Sequence, residues 1–147
     1  MTNERWKKEA KEMIKAHEGL RIRVYKCPAG KLTIGYGHNL EDNTITLATA
    51  EFILEEDFKY CIKKAEGIFG KTFFNSLPDD AKKVIIDMIF NLGGSKFETF
   101  KKMIKYVKEK DFRNAGKEIL NSKAYTQNKR RYKELSDLMI GVANAQK

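Results

Sequence analysis

The hydrophobic period along the chain switches from 3.6 residues to 2 and back once, which predicts a leading helix, a small sheet and then helices to the end. Trp6, Ala10, Met13, Ile14 and His17 recur on one face of the leading segment, and Gly19 follows as a residue suited to a left-handed cap. Glu18 therefore falls in the last helical turn. From Leu20 the order Leu-Arg-Ile-Arg-Val-Tyr-Lys alternates, and Lys31 to Tyr36 alternates again. Between them, Cys27-Pro28-Ala29-Gly30 reads as a hairpin loop with Pro28 at the first central position of a type I turn. That loop pairs Cys27 with Lys31 and sets Tyr25 opposite Thr33. Period-two geometry then gathers Cys27, Tyr25, Arg23 and Thr33 on one open polar face, and Ile22, Val24, Leu32 and Ile34 on a face expected to pack. Gly35 and Gly37 are expected to keep the adjoining wall low, so that a bulky ligand can approach backbone.

Helical periodicity returns after Thr46, a candidate N-cap, with Leu47, Ala50, Leu54, Phe58, Cys61 and Ala65 in one stripe. The segment "DDAKKVIIDMIFNLGG" is apolar nearly all round from Val84 to Leu92, starts after Pro78 and ends at Gly93-Gly94. It is the expected buried central helix. Shorter helices are expected over Phe97 to Val107 and Phe112 to Leu120. A last one runs from about Asn128 to Ala143 and carries Leu135, Leu138, Met139 and Val142. The fold class is α+β, mostly α: a single domain over residues 1–147 with a small antiparallel hairpin sheet and about six or seven helices around one buried helix.

Charge narrows the partners. The apolar fraction of 41% with regular periodicity argues against disorder, and 29 Lys and Arg against 20 Asp and Glu give a net charge of +9. Nucleic acid, anionic membrane and anionic cell wall would all attract such a chain. Its lysines are spread over every helix, and no helix-turn-helix or RNA-binding signature is visible, so no nucleic-acid partner is expected. Cys27, Cys61, His17 and His38 share no metal-ligand spacing, which predicts no metal, no other cofactor and no disulfide. The N-terminal segment carries charges throughout and has no core like that of a signal peptide, and no later run reaches membrane-spanning length. A cytoplasmic site of synthesis is expected.

Candidate chemistry sits where helix meets hairpin. A carboxyl in the last turn faces the negative end of the helix macrodipole, which disfavours its charged form and suits a general acid. An ordinary surface glutamate is the competing reading of Glu18. Cys27, Thr33 and Tyr25 can border the same cleft. An ordinary thiol is only about 3% thiolate at pH 7, so Cys27 needs help to act as an anion, and Arg23, Lys26 and Lys31 are its charged sequence neighbours.

Glu18, eight residues, Cys27, five residues, Thr33 and then "IGYGH" resemble the catalytic signature of the phage-type lysozymes, the endolysins of glycoside hydrolase family 24. "NLGG" with Phe97 resembles the turn after that family's central helix, and "NKRRYKELSDLMIG" its C-terminal helix, so the likeness covers nearly the whole chain. The resemblance implies a two-lobed fold, the small lobe about residues 15–60 and the helical lobe about residues 70–147 plus the N-terminal helix. It implies Glu18 as general acid, Cys27 where the family usually has aspartate, and Thr33 holding the attacking water. Tyr25, His38, Phe90, Asn91 and Arg130 would bind or support. Arg130 is the best match to an arginine that pairs with the catalytic glutamate, with Arg131 the alternative, and His38 is expected to play a structural hydrogen-bonding part. The activity implied is cleavage of the β-1,4 bond between N-acetylmuramic acid and N-acetylglucosamine in peptidoglycan, by a monomer that reaches the wall after a holin opens the membrane. Whether Cys27 acts as base, nucleophile, water-positioner or packing residue stays open, and so does a catalytically weakened wall-binding module.

Overall fold

The computed structural model describes residues 2–146, so the two ends of the expected 1–147 span lie outside the described residues. The chain divides into two compact units, Met1–Phe52 and Ile53–Lys147.

In the first unit, α1 (Thr2–Glu18) leads to an antiparallel sheet of β1 (Arg21–Lys26), β2 (Leu32–Gly35) and β3 (His38–Asn39), in that order across the sheet. Turn chemistry sets the register as the sequence predicts. The Cys27 N–H donates to the Lys31 carbonyl at 2.9 Å, the Gly30 N–H to the Cys27 carbonyl at 2.8 Å, and Tyr25 faces Thr33. Further along, the register is irregular: Arg21 rather than Arg23 stands opposite Gly35, so β1 carries two residues more than β2 over this stretch. β3, two residues long, is an addition to the expected hairpin.

Burial corrects the sequence reading here. Ile22 is 81% exposed, Val24 and Leu32 are exposed, and on the supposedly open face Thr33 is only 2% exposed. Strands of six, four and two residues are too small to enclose a core, and alternation specifies two faces without specifying what covers either. Trp6, Met13 and Ile14 on α1 are likewise exposed.

The core of the second unit is built as the periodicity predicts. α2 (Leu47–Phe69) has its N-terminal N–H groups capped by Thr46, whose Oγ1 accepts from the Thr49 N–H at 3.1 Å. Its stripe is buried only from Cys61 onward, through Ala65 and Phe69, while Leu47, Leu54 and Phe58 are exposed. α3 (Lys71–Ser76) follows, then α4 (Asp79–Leu92), which buries Val84, Ile85, Met88 and Ile89 and stops at Gly93. Phe90 on this helix is exposed, so the apolar character is not buried all round. The expected helix over Phe97 to Val107 is two, α5 (Gly94–Phe97) and α6 (Lys101–Lys108). The chain turns between them because the Thr99 and Phe100 N–H groups reach back three residues and the Thr99 hydroxyl donates to the Lys96 carbonyl at 2.6 Å.

α7 (Phe112–Leu120), α8 (Lys123–Gln127) and α9 (Lys129–Ala145) complete the unit. α9 buries Tyr132, Leu135, Met139 and Val142 against α4, α7 and α8. At the α7–α9 seam the buried Ser136 hydroxyl donates to the Gly116 carbonyl at 2.8 Å, and Ile140 covers Gly116 where a side chain would otherwise start. The described residues thus form nine helices and one small sheet, an α+β, mostly-α fold of the expected class.

Candidate active site

The end of α1 and the β2–β3 turn are fastened together. The Gly19 N–H closes the helix on the Lys15 carbonyl at 2.9 Å, leaving Glu18 as the last helical residue. The Glu18 carboxylate lies over Gly37: a Cβ at that position would stand 2.6 Å from Glu18 Oε2. The Lys15 ammonium sits 5.4 Å from the centre of the Tyr36 ring, a second tie to the same turn. Gly37 is expected from sequence to make room for a ligand. Instead, its missing side chain makes room for the candidate general acid, whereas nothing lies within 4 Å of the corresponding space at Gly35.

Cys27 closes the hairpin turn with its thiol half-buried, and both it and Cys61 are free. The thiol titrates below its ordinary range, chiefly because the backbone N–H of Lys31 favours the thiolate. Partial desolvation opposes this, while the Ala29 N–H and the Thr33 hydroxyl add to the downward pull. Backbone amides thus do the work that the sequence assigns to Arg23, Lys26 and Lys31 as charges. Thr33 has one hydroxyl hydrogen, which it gives to the Lys31 carbonyl at 2.9 Å. To serve the thiolate the hydroxyl must rotate away from that carbonyl, so ionisation of Cys27 and the orientation of Thr33 are coupled.

Tyr25 is half-buried opposite Thr33, with the Arg21 guanidinium 5.0 Å from its ring centre. His38 pairs with Ile34 through the backbone, yet its ring Nε2 is buried and has no hydrogen-bond partner among the described residues. The structural hydrogen-bonding part expected of His38 is therefore not played through Nε2.

The other expected support residues belong to the second unit. Phe90 lines a cavity of about 640 Å³ with Leu54, Phe58, Ile62 and Ile86, and Asp87 and Arg131 form part of its polar edge. Asn91 accepts a hydrogen bond from the Tyr132 hydroxyl at 2.6 Å, which joins α4 to α9. Arg130 is exposed and has no ion pair among the described residues. Its neighbour Arg131 instead donates through Nε to Asp87 Oδ1 at 2.7 Å. Sequence reasoning passed over Asp87, although it is the one carboxylate inside the apolar run Val84 to Leu92. Among the described residues no cluster of His, Cys, Asp or Glu is arranged to hold a metal ion.

A helix-end carboxyl and a thiol polarised by amides are groups that acid–base chemistry can use. Sequence relationships narrow that chemistry. Residues 15–137 match the phage lysozyme family. The chain is 33% identical, over 80% of its own length and 80% of the relative's, to "Endolysin" of Acyrthosiphon pisum secondary endosymbiont phage 1. It is 29% identical to "Probable T4-type lysozyme 1" of Dictyostelium discoideum, covering 93% of this chain and 97% of that one. "Probable T4-type lysozyme 2" of the same organism is 28% identical over 82% and 87%. The chain belongs to the phage lysozyme family, and it is a lysozyme-type peptidoglycan hydrolase.

Proposed function

We propose that this protein is an endo-acting N-acetylmuramidase that cleaves the β-1,4 bond between N-acetylmuramic acid and N-acetylglucosamine and so lyses bacteria. Glu18 protonates the departing glycosidic oxygen, and Cys27, with Thr33, orients the attacking water or steadies positive charge developing on the sugar. Tyr25 and His38 support the hairpin side of the site. The observation that supports this reading is the closed hairpin turn at Cys27, whose half-buried thiol has the Lys31 and Ala29 N–H groups beside it and is drawn below its ordinary range, the direction a stand-in for a second carboxyl requires. Among the described residues no helix is long and apolar enough to cross a membrane. In this reading the protein acts as a monomer, is made in the cytoplasm, and meets the wall after a holin-type pore opens the membrane.

Purified peptidoglycan tests the reading. Cleavage should create reducing ends that are N-acetylmuramic acid, clear a suspension of permeabilised bacteria, and fall by about a hundredfold or more in Glu18→Gln, whose amide delivers no proton. New reducing ends on N-acetylglucosamine would overturn the bond assignment. The thiol in place of a second carboxyl favours one alternative, a catalytically weakened wall-binding module, which would sediment with peptidoglycan and create no new ends.

A further inference from the structure

The second unit carries another concavity, which shares no lining residue with the Phe90–Arg131 cavity. It is a groove of about 820 Å³ formed by the C-terminal half of α2, residue Glu98 and α6. Five lysines line it, Lys63 and Lys64 from α2 and Lys101, Lys105 and Lys108 from α6, against two glutamates, Glu98 and Glu109. The lysine stem of residue 64 lies over Gly94, and its ammonium meets Glu98 at 3.0 Å, while Lys105 reaches Glu109 at 4.0 Å. Lys63, Lys101 and Lys108 have no ion-pair partner among the described residues. Lysines occur on every helix, and the fold brings five of them, from two helices, to this one groove.

The lining chooses among polyanions. Residues 101, 105 and 108 share one helical face and span about 10 Å along it at 1.5 Å per residue, a row of point charges suited to a chain with spaced single charges. The groove has no arginine, so it lacks the planar fork that recognises carboxylates in pairs. It also has no aromatic residue, so nothing in it stacks a nucleobase.

We propose that this groove binds a base-free phosphodiester polymer of the bacterial envelope, and so holds the enzyme against the material it cuts. Naming the envelope as the source rests on the muramidase reading; the groove's preference for such a chain does not.

Titration of the intact protein with a short poly(glycerol phosphate) tests the proposal. The triple variant Lys101→Gln, Lys105→Gln, Lys108→Gln should bind at least about tenfold more weakly and lower the log–log salt slope by about two. A second triple variant, Lys8→Gln, Lys11→Gln, Lys71→Gln, removes the same charge elsewhere and should change binding by less than about threefold. The groove variant should retain full cleavage of peptidoglycan stripped of anionic polymer and lose rate only on unstripped walls. Competition by vesicles carrying the lipid-anchored polymer, or by wall-linked polymer, identifies which form is bound more tightly. Equal losses in both triple variants, or tighter groove-dependent binding of a single-stranded oligonucleotide of equal charge, would overturn the proposal. Groove-dependent binding by a protein that cleaves no peptidoglycan would sink the muramidase reading and leave the groove assignment standing.

Discussion

Glu18 and Gly37 compete for one space: a Cβ on residue 37 would stand 2.6 Å from the Glu18 carboxylate oxygen, so the absence of that carbon lets the carboxylate lie where it does. Gly37→Ala and Gly35→Ala separate this from backbone strain, because both glycines have positive φ, 77° and 70°, and only the first has Glu18 above it. Each substitution should destabilise by about 1–2 kcal/mol through the left-handed backbone. If Glu18 is the proton donor proposed above, only Gly37→Ala should also cut kcat, by about tenfold or more with KM little changed, because it displaces that carboxyl. Equal loss of kcat in the two variants would show that the contact does not position Glu18.

Cys27 should react with iodoacetamide at lower pH than an ordinary thiol. Its donors stabilise the thiolate, so the reactive form persists below the usual range, and removing a donor must shift the profile upward. Thr33→Val should therefore move the alkylation midpoint to higher pH, with Lys31 and Ala29 still holding it below that of a free thiol. Cys61 supplies the contrast: burial, and secondarily Asp57, raises its titration range, and in the folded protein it should remain unlabelled. In the activity assay Cys27→Asp should exceed Cys27→Ala, and full activity in Cys27→Ala would reduce the thiol to turn packing.

The adjacent arginines of α9 should behave differently. Arg131 bonds Asp87 across to α4 with both side chains about one-third exposed, 32% and 40%, so solvent screening holds the pair's coupling to about 0.5–1 kcal/mol in a double-mutant cycle. Arg130→Ala should leave the unfolding free energy within about 0.5 kcal/mol of the parent. A larger loss from Arg130 than from Arg131 in urea titrations would show that the register of these two residues is reversed.

Tyr132→Phe should cost about 0.5–1.5 kcal/mol, the net value of its hydrogen bond to Asn91. The ring stays buried and keeps its packing, while the exposed Asn91 amide regains water. Loss of more than about 3 kcal/mol by denaturant unfolding would mean that the hydroxyl supports more than this one bond.

What the sequence reveals divides by the range of the physics. The Cys27–Lys31 closure and the Tyr25–Thr33 pairing are legible because Pro28 and Gly30 act within the turn itself. The boundaries of α4 follow from Pro78 and Gly93 in the same way. The irregular register between Arg21 and Tyr25 has no marking residue, and exposure of Ile22 and Val24 depends on whether another element covers them. Glu18, Cys27 and Thr33 are candidates on their spacing and its family resemblance. The source of the thiol's polarisation cannot be read in this way, since backbone N–H groups are common to every sequence and only the fold aims them. Asp87 and Arg131, 44 residues apart, meet only through the packing of α9 on α4.

The seam between α7 and α9 bears on how this protein could be made more heat-resistant. Replacing helical glycine by alanine ordinarily gains about 0.5–1 kcal/mol, and Gly116 and Gly141 look equally suitable on a helical wheel. At Gly141 an added methyl meets nothing within 4 Å, whereas at Gly116 it would come within 2.6 Å of Ile140 Cγ1 and 3.0 Å of the Ser136 carbonyl. The same substitution should therefore raise the melting temperature at one position and lower it at the other. Gly116 acts as a spacer whose thinness lets two helices touch, and a consensus-guided design that treated it as a weak helix former would pry them apart.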